Sequence, residues 1–166
     1  MNGKLVMLTD KNISEIQKLC ENTNDYFIME NGKGTSKEEY KEILESLPPG
    51  SSMEDKYVFG YYNEDGKLVG LIDIIAGYPN EGIWMLGLLI IDSMERNKGY
   101  GEALYREVEK FVKDKGGKTI RIAVFEENKN AFVFWNKQGF KFKEVKERDK
   151  YDGGKRNISI MLKSVC

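Results

Sequence analysis

The chain has 166 residues, room for one domain around one core, and its 40% hydrophobic and 32% charged residues describe a chain that folds rather than stays disordered. Its 26 lysines and arginines nearly balance 27 aspartates and glutamates with no long run of either sign, so neither nucleic acid nor an anionic membrane is expected as a partner. There is no histidine, which removes histidine triads, histidine general bases and most familiar zinc sites, so no metal is expected. Two cysteines make no disulfide framework, and with no signal pattern and no apolar run of spanning length the expectation is a cytoplasmic protein, monomeric or homodimeric.

In chain order, Leu5–Leu8 reads as a short strand, and Asp10 caps a predicted helix over 11–21. Cys20 shares an apolar stripe there with Ile13, Ile16 and Leu19, which assigns it to the core, whereas Cys166, the last residue, should fray. Ser36 and Glu39 have capping-box spacing, Tyr40, Ile43, Leu44 and Leu47 follow at helical intervals, and Pro48-Pro49-Gly50 stops the helix. The segment Asn22–Thr35 between these helices carries Asp25, Tyr26, Phe27 and Glu30 and is predicted as a connecting loop. A meander follows, with strands at 57–62, 68–75 and 83–91 and turns at Asn63-Glu64-Asp65-Gly66 and over 77–82. The third strand is nearly all apolar, which predicts a central place in the sheet. A helix over 101–115 buries Leu104, Val108, Phe111 and Val112 and ends at Gly116-Gly117. A strand at 119–125, a short helix over 129–138 and a hairpin, 140–147 with 156–163, complete the chain. The sum is an α/β (α+β) domain, 1–166, built on a mixed, mostly antiparallel sheet flanked by helices, with one right-handed strand–helix–strand crossover making a parallel pair.

The chemistry concentrates where the central strand feeds the helix over 101–115, in Leu89-Ile90-Ile91-Asp92-Ser93-Met94-Glu95-Arg96-Asn97-Lys98-Gly99-Tyr100-Gly101-Glu102. Unpaired amides and the dipole at such a helix start favour a phosphate, glycines allow close backbone approach, and Arg96 and Lys98 would add positive charge at the rim. A tight turn with solvated charges is the bland alternative. A dinucleotide fold fits poorly because Gly99-x-Gly101 lacks the third glycine, and no lysine followed by Ser or Thr closes a Walker loop.

Arg96-Asn97-Lys98-Gly99-Tyr100-Gly101 after a central strand resembles the Arg/Gln-x-x-Gly-x-Gly/Ala signature of the GNAT superfamily of N-acetyltransferases. Asn128, Ala131, Trp135 and Gly139-Phe140 are similar to a second motif of that family, and the order of elements matches over nearly the whole chain. The resemblance implies an acetyl-CoA co-substrate held by the parallel strand pair splayed around it. Its pyrophosphate would lie on the amides of Arg96, Asn97, Lys98, Gly99, Tyr100, Gly101 and Glu102, and its pantetheine arm against the backbone of Leu89, Ile90 and Ile91. It further implies that the Leu89 backbone amide polarises the acetyl carbonyl. Asn128 would touch the cofactor or simply cap a helix, and Trp135 would pack against the cofactor or the core.

Two departures bear on mechanism. Trp135 stands where many relatives carry a tyrosine that protonates the leaving thiolate, and indole N–H cannot do that; Tyr26, Tyr61, Tyr78 and Tyr100 are the remaining candidates. Met85 stands where some relatives carry a glutamate base. Asp73, inside the apolar run Leu71-Ile72-Asp73-Ile74-Ile75, is the substitute candidate, provided the turn pairs it with Met85, Gly87 or Leu89; a structural, hydrogen-bonded aspartate is the alternative. Gly87 leaves room for an acceptor, and in this superfamily the region matching Asn22–Thr35 forms part of the acceptor wall, where acidic and aromatic residues such as Tyr26 suit a cationic amine. The expected reaction is acetyl transfer to a primary amine of a small molecule or peptide by direct attack in a ternary complex; the rivals are an acyl-CoA-binding regulator without turnover, a nucleotide-binding module and a transferase for longer acyl chains.

Overall fold

Nine residues, Ile83–Ile91, form the strand around which the protein is arranged, and their apolar side chains find cover on both faces of the sheet. The computed structural model describes residues 2–166. Its strands are β1 (Lys4–Met7), β2 (Lys56–Tyr62), β3 (Leu68–Ala76), β4 (Ile83–Ile91), β5 (Thr119–Phe125), β6 (Lys141–Asp149) and β7 (Lys155–Ser164), and its helices α1 (Ile13–Asn22), α2 (Asn24–Asn31), α3 (Lys37–Glu45), α4 (Tyr100–Asp114) and α5 (Lys129–Lys137). The strands make one sheet in the order β1-β2-β3-β4-β5-β7-β6, with β4 at its middle. Every pairing is antiparallel except β4 with β5, which the α4 crossover makes parallel.

The sheet separates two cores. On one face α4 inserts Leu104, Tyr105, Val108 and Val112 against Phe59, Ile72, Ile74, Leu86, Ile120 and Ile122. Phe111, expected in that stripe, is half-buried and packs on Tyr57, Phe59 and Trp84 at the sheet's end. On the other face α1, α2 and α3 bring Ile16, Leu19, Cys20, Phe27, Tyr40 and Ile43 onto Val58, Leu71 and Ile90. Burial, with the charges of Glu39 and Glu21 adding to it, pushes the Cys20 thiol up to about 12, so it stays a protonated, inert core residue.

α2 occupies the segment predicted as a loop. Its Tyr26-Phe27-Ile28-Met29 run has no helical periodicity, and Thr23 supplies no side-chain cap. Tertiary contacts hold it instead. Phe27 is buried, Gly32 closes the helix in the left-handed conformation, and the buried Arg156 of β7 donates to the carbonyls of Met29 (2.8 Å) and Glu30 (3.1 Å). α3 begins as its capping residues predict, Ser36 Oγ accepting from Glu39 N at 3.4 Å. Among the described residues no helix is long and apolar enough to cross a membrane.

Candidate active site

β4 and β5 pair from Ile83–Thr119 to Leu86–Ile122 and then separate. Beyond that point Gly87 and Ala123 are exposed, and a slot opens between the strands, lined by Gly87, Leu88 and Leu89 on one side, Ala123 and Val124 on the other, and by Tyr26, Asn128, Ala131 and Trp135 above it. The slot runs into a cleft of about 810 Å³ whose walls are Leu89, Ile90 and Ile91 of β4, Arg96, Asn97, Gly99, Tyr100, Gly101 and Glu102 of the following loop and helix, Asp25, Tyr26 and Met29 of α2, and Asn128, Ala131, Phe134 and Trp135 of α5. Lys98 is the one residue of the expected cofactor set outside these walls.

The cleft's floor is the loop and first turn that open α4. Gly99 caps α4 with φ 90° and Asn97 sits at φ 63°, so the loop turns sharply through two left-handed residues. The first helical hydrogen bond runs from Ala103 N to the Gly99 carbonyl at 3.0 Å, which leaves the Tyr100, Gly101 and Glu102 amides without helical partners at the positive end of a 15-residue helix. The loop is anchored from below by the buried Asp92, which accepts from Met94 N (2.9 Å) and Asn22 Nδ2 (2.9 Å) and meets Lys67 Nζ at 3.1 Å. Burial opposes ionisation of Asp92, but these partners outweigh it and hold the carboxyl below its ordinary value.

The two basic side chains expected at the rim are engaged elsewhere. Arg96 makes a two-pronged pair with Asp25 (2.7 and 3.0 Å) and also donates to the Ile91 carbonyl (3.2 Å), while Lys98 pairs with Glu95 at 3.0 Å. The Arg96 bond holds Asp25 below the usual carboxylate range and ties α2 across the mouth of the cleft. The unpaired donors of the floor are therefore its backbone amides.

Asn128 caps α5, its Oδ1 accepting from Ala131 N at 3.2 Å, and it also lines both slot and cleft. Trp135 is buried, edge-on to Tyr105 (5.3 Å between ring centroids), Phe134 (4.8 Å) and Phe140 (5.1 Å), and it too forms a wall of the slot. Of the four candidate proton donors, Tyr26 lines the slot beside Leu89, Tyr100 lines the cleft mouth, Tyr61 is buried next to Tyr100, and Tyr78 lies on the turn at the far end of β4. Burial, then the nearby Glu30 charge, pushes the Tyr26 phenol above its ordinary value, so it is a donor at neutral pH.

The register of Asp73 differs from each pairing considered for it. It lies opposite Leu88, because a bulge between Asp73 and Ile74 gives β4 an extra residue at Gly87. Leu89 pairs with Ile72 and turns to the α4 face; Met85 pairs with Ile75 and shares the face of Asp73. Asp73 Oδ2 lies 3.4 Å from where a Cβ on Gly87 would be, so the carboxylate reaches over the point where β4 and β5 part. Its other oxygen accepts from Lys56 Nζ at 3.0 Å. Lys56 was not legible as a site residue: it is 17 positions away on the neighbouring strand, and only the sheet register brings the two together. Arg156, which fixes the end of α2 and thereby Tyr26, gave no local signal either.

The sheet is thus seven-stranded and mixed, with one parallel pair opening over a helix start. The family model for the acetyltransferase (GNAT) domain matches residues 5–161, and the chain belongs to that family. It is 34% identical over 88 residues to the uncharacterised Bacillus subtilis protein YdhI and 30% identical over 83 residues to YxbD of the same organism, matches that cover 52% and 50% of this chain. The chain spans about half the length of these curated relatives, 51% and 49%. Similar folds include an N-acetyltransferase from Staphylococcus aureus (TM-score 0.76, 16% identity, 100% of both chains). A spermidine N-acetyltransferase chimera of Vibrio cholerae and human sequence reaches TM-score 0.79 at 17% identity, over 99% of this chain and 96% of that one. The ribosomal-protein-S18-alanine N-acetyltransferase of Escherichia coli reaches 0.74 at 13% identity, over 99% and 94%.

Proposed function

We propose that the protein transfers the acetyl group of acetyl-CoA to a primary amine of a small molecule or peptide by direct attack in a ternary complex. The observation that carries this is the parting of β4 from β5 after Leu86, continuous with a cleft floored by free helix-start amides. A pyrophosphate fits that floor, because backbone donors there lack partners, and an extended amide-bearing arm fits the slot, because the β4 backbone beyond Leu86 has no partner strand on that side.

When bound, acetyl-CoA supplies a thioester already activated for acyl transfer. The backbone amide of Leu89, where the slot meets the cleft, polarises the acetyl carbonyl. Asp73 takes one proton from the incoming ammonium, directly or through one water, and the freed nitrogen lone pair forms the new C–N bond as the C–S bond breaks. Tyr26 gives its phenolic proton to the departing sulfur and is reprotonated by the second proton lost from nitrogen. Met85 and Gly87 line the face on which Asp73 and the acceptor meet. Trp135 shapes the slot and moves no proton. The indole in the tyrosine position and Met85 in the glutamate position favour the rival reading of an acyl-CoA-binding regulator without turnover, whereas a Tyr26 phenol in the same slot supports turnover.

The test is release of free thiol from acetyl-CoA across a library of primary amines. Turnover with any member supports transferase activity; tight acetyl-CoA binding with no thiol release from the whole library would leave the regulator reading in its place.

A further inference from the structure

Lys56 is 1% exposed at its side chain, the most enclosed cation in the protein's ion pairs, and plays no part in the binding surfaces described above. Its ammonium bridges two groups: the carbonyl of Ser46, the residue that ends α3, at 2.9 Å, and Asp73 Oδ1 at 3.0 Å. The first bond places a cation at the negative end of a helix and holds the ammonium in one position. The second leaves Asp73 asymmetric. Oδ1 is occupied by Lys56, whereas Oδ2 accepts no hydrogen bond from the described residues and lies over Gly87 at the mouth of the slot, on a side chain that keeps 14% exposure. That oxygen faces the place where β4 and β5 part. A buried ion pair of this kind gains little stability over two apolar side chains of the same volume.

We infer that Lys56 is a positioning residue for acetyl transfer: it fixes the Asp73 carboxylate with Oδ2 turned toward the acceptor amine and keeps it ionised while enclosed. This rests on the reading of Asp73 as the base. The physical need is plain. A carboxyl inside an apolar strand with no cation beside it would be neutral at pH 7 and already carry the proton it must accept. A carboxylate in open water would be too weak a base. Burial raises Asp73 above the ordinary aspartate value and Lys56 pulls it part of the way back. Lys56 is the charge that acts on it; its other neighbours, Val58 from β2 and Leu88, Gly87 and Met85 from β4, carry none, and α3 presents only the Ser46 carbonyl, already taken by Lys56.

The experiment is the pH profile of kcat/KM by thiol release, with acetyl-CoA affinity measured alongside, for the wild type, Lys56→Gln, Lys56→Arg and Asp73→Asn. Lys56→Gln keeps a donor and loses the charge. Its acidic limb should move up by about 1–3 pH units, the usual effect of an opposite charge at this range, with acetyl-CoA affinity unchanged. Lys56→Arg should restore the limb, and Asp73→Asn should abolish it. A folded Lys56→Gln protein with the wild-type profile overturns the role of Lys56, while loss of the limb in Asp73→Asn would still uphold the base. A wild-type profile in Asp73→Asn removes the base itself, and the proposal with it. If Lys56→Gln does not fold, carboxyl-carbon NMR of the wild type decides. The proposal expects Asp73 to titrate above the ordinary aspartate range, ionised at pH 7, and together with the acidic limb; a carboxyl still protonated at pH 7, or titrating in the ordinary range, overturns it.

Discussion

The first half of β4 and its second half are made of the same kind of residue and do opposite things. Trp84–Leu86 is paired on both edges, to β3 and to β5, and its side chains Trp84 and Leu86 are buried in the α4-face core. Leu88–Ile91 keeps its β3 partner and loses β5, so one edge of a central, apolar strand is left unpaired. Open edges are normally a liability at the border of a sheet. Here the open edge is internal, roofed by α2 and α5, and begins at a bulged glycine that also brings Asp73 over the opening. The first half supplies rigidity and the second supplies unmet hydrogen-bonding capacity; a strand that was wholly paired or wholly open would supply only one of these.

That contrast can be broken from either side. The largest effect on stability should come from the zipped half: Ile122→Ala empties a fully buried site opposite Leu86 and should cost about 2–5 kcal/mol of unfolding free energy, read by denaturant titration. At temperatures where it stays folded, its acetyl-CoA affinity should be close to wild type. Gly99→Glu should do the reverse. It puts a carboxylate on the phosphate floor at a residue with φ 90°, and acetyl-CoA affinity should fall at least about 100-fold, roughly 2.7 kcal/mol, with the circular dichroism spectrum retained. Normal affinity by calorimetry in a folded Gly99→Glu protein would remove the floor from the cofactor site. Trp135→Phe keeps an aromatic wedge among Tyr105, Phe134 and Phe140, so turnover should drop less than about tenfold, or 1.4 kcal/mol. A collapse in its turnover at unchanged melting temperature and cofactor affinity would give the indole a chemical part.

Much of this was legible in the sequence, and the misses have physical reasons. β4, the glycine loop and α4 could be read because an apolar run, two glycines and a 3.6-residue stripe are local signals, and the GNAT resemblance rests on those same residues. α2 could not, because its four apolar residues are consecutive rather than spaced, and its order comes from Phe27 and from Arg156, 126 positions away from Glu30. The face of Asp73 depended on one bulge: Gly87 in a strand hinted at one, but its effect on pairing is a property of two strands together. The ion pair of Arg96 is invisible in the sequence for a similar reason, since its partner Asp25 lies 71 positions upstream, on α2.

The central claim is that the open edge of β4 receives the cofactor's arm as the zipped edge receives β5. Hydrogen exchange of the β4 amides, resolved by NMR with and without saturating acetyl-CoA, tests it most directly. Amides among Gly87–Ile91 that do not bond β3 should exchange quickly in the free protein and become protected, with Leu89 among the residues perturbed, while the amides of Ile83–Leu86 stay slow in both states. Acetyl-CoA that binds tightly yet leaves exchange over Gly87–Ile91 unchanged would contradict the account.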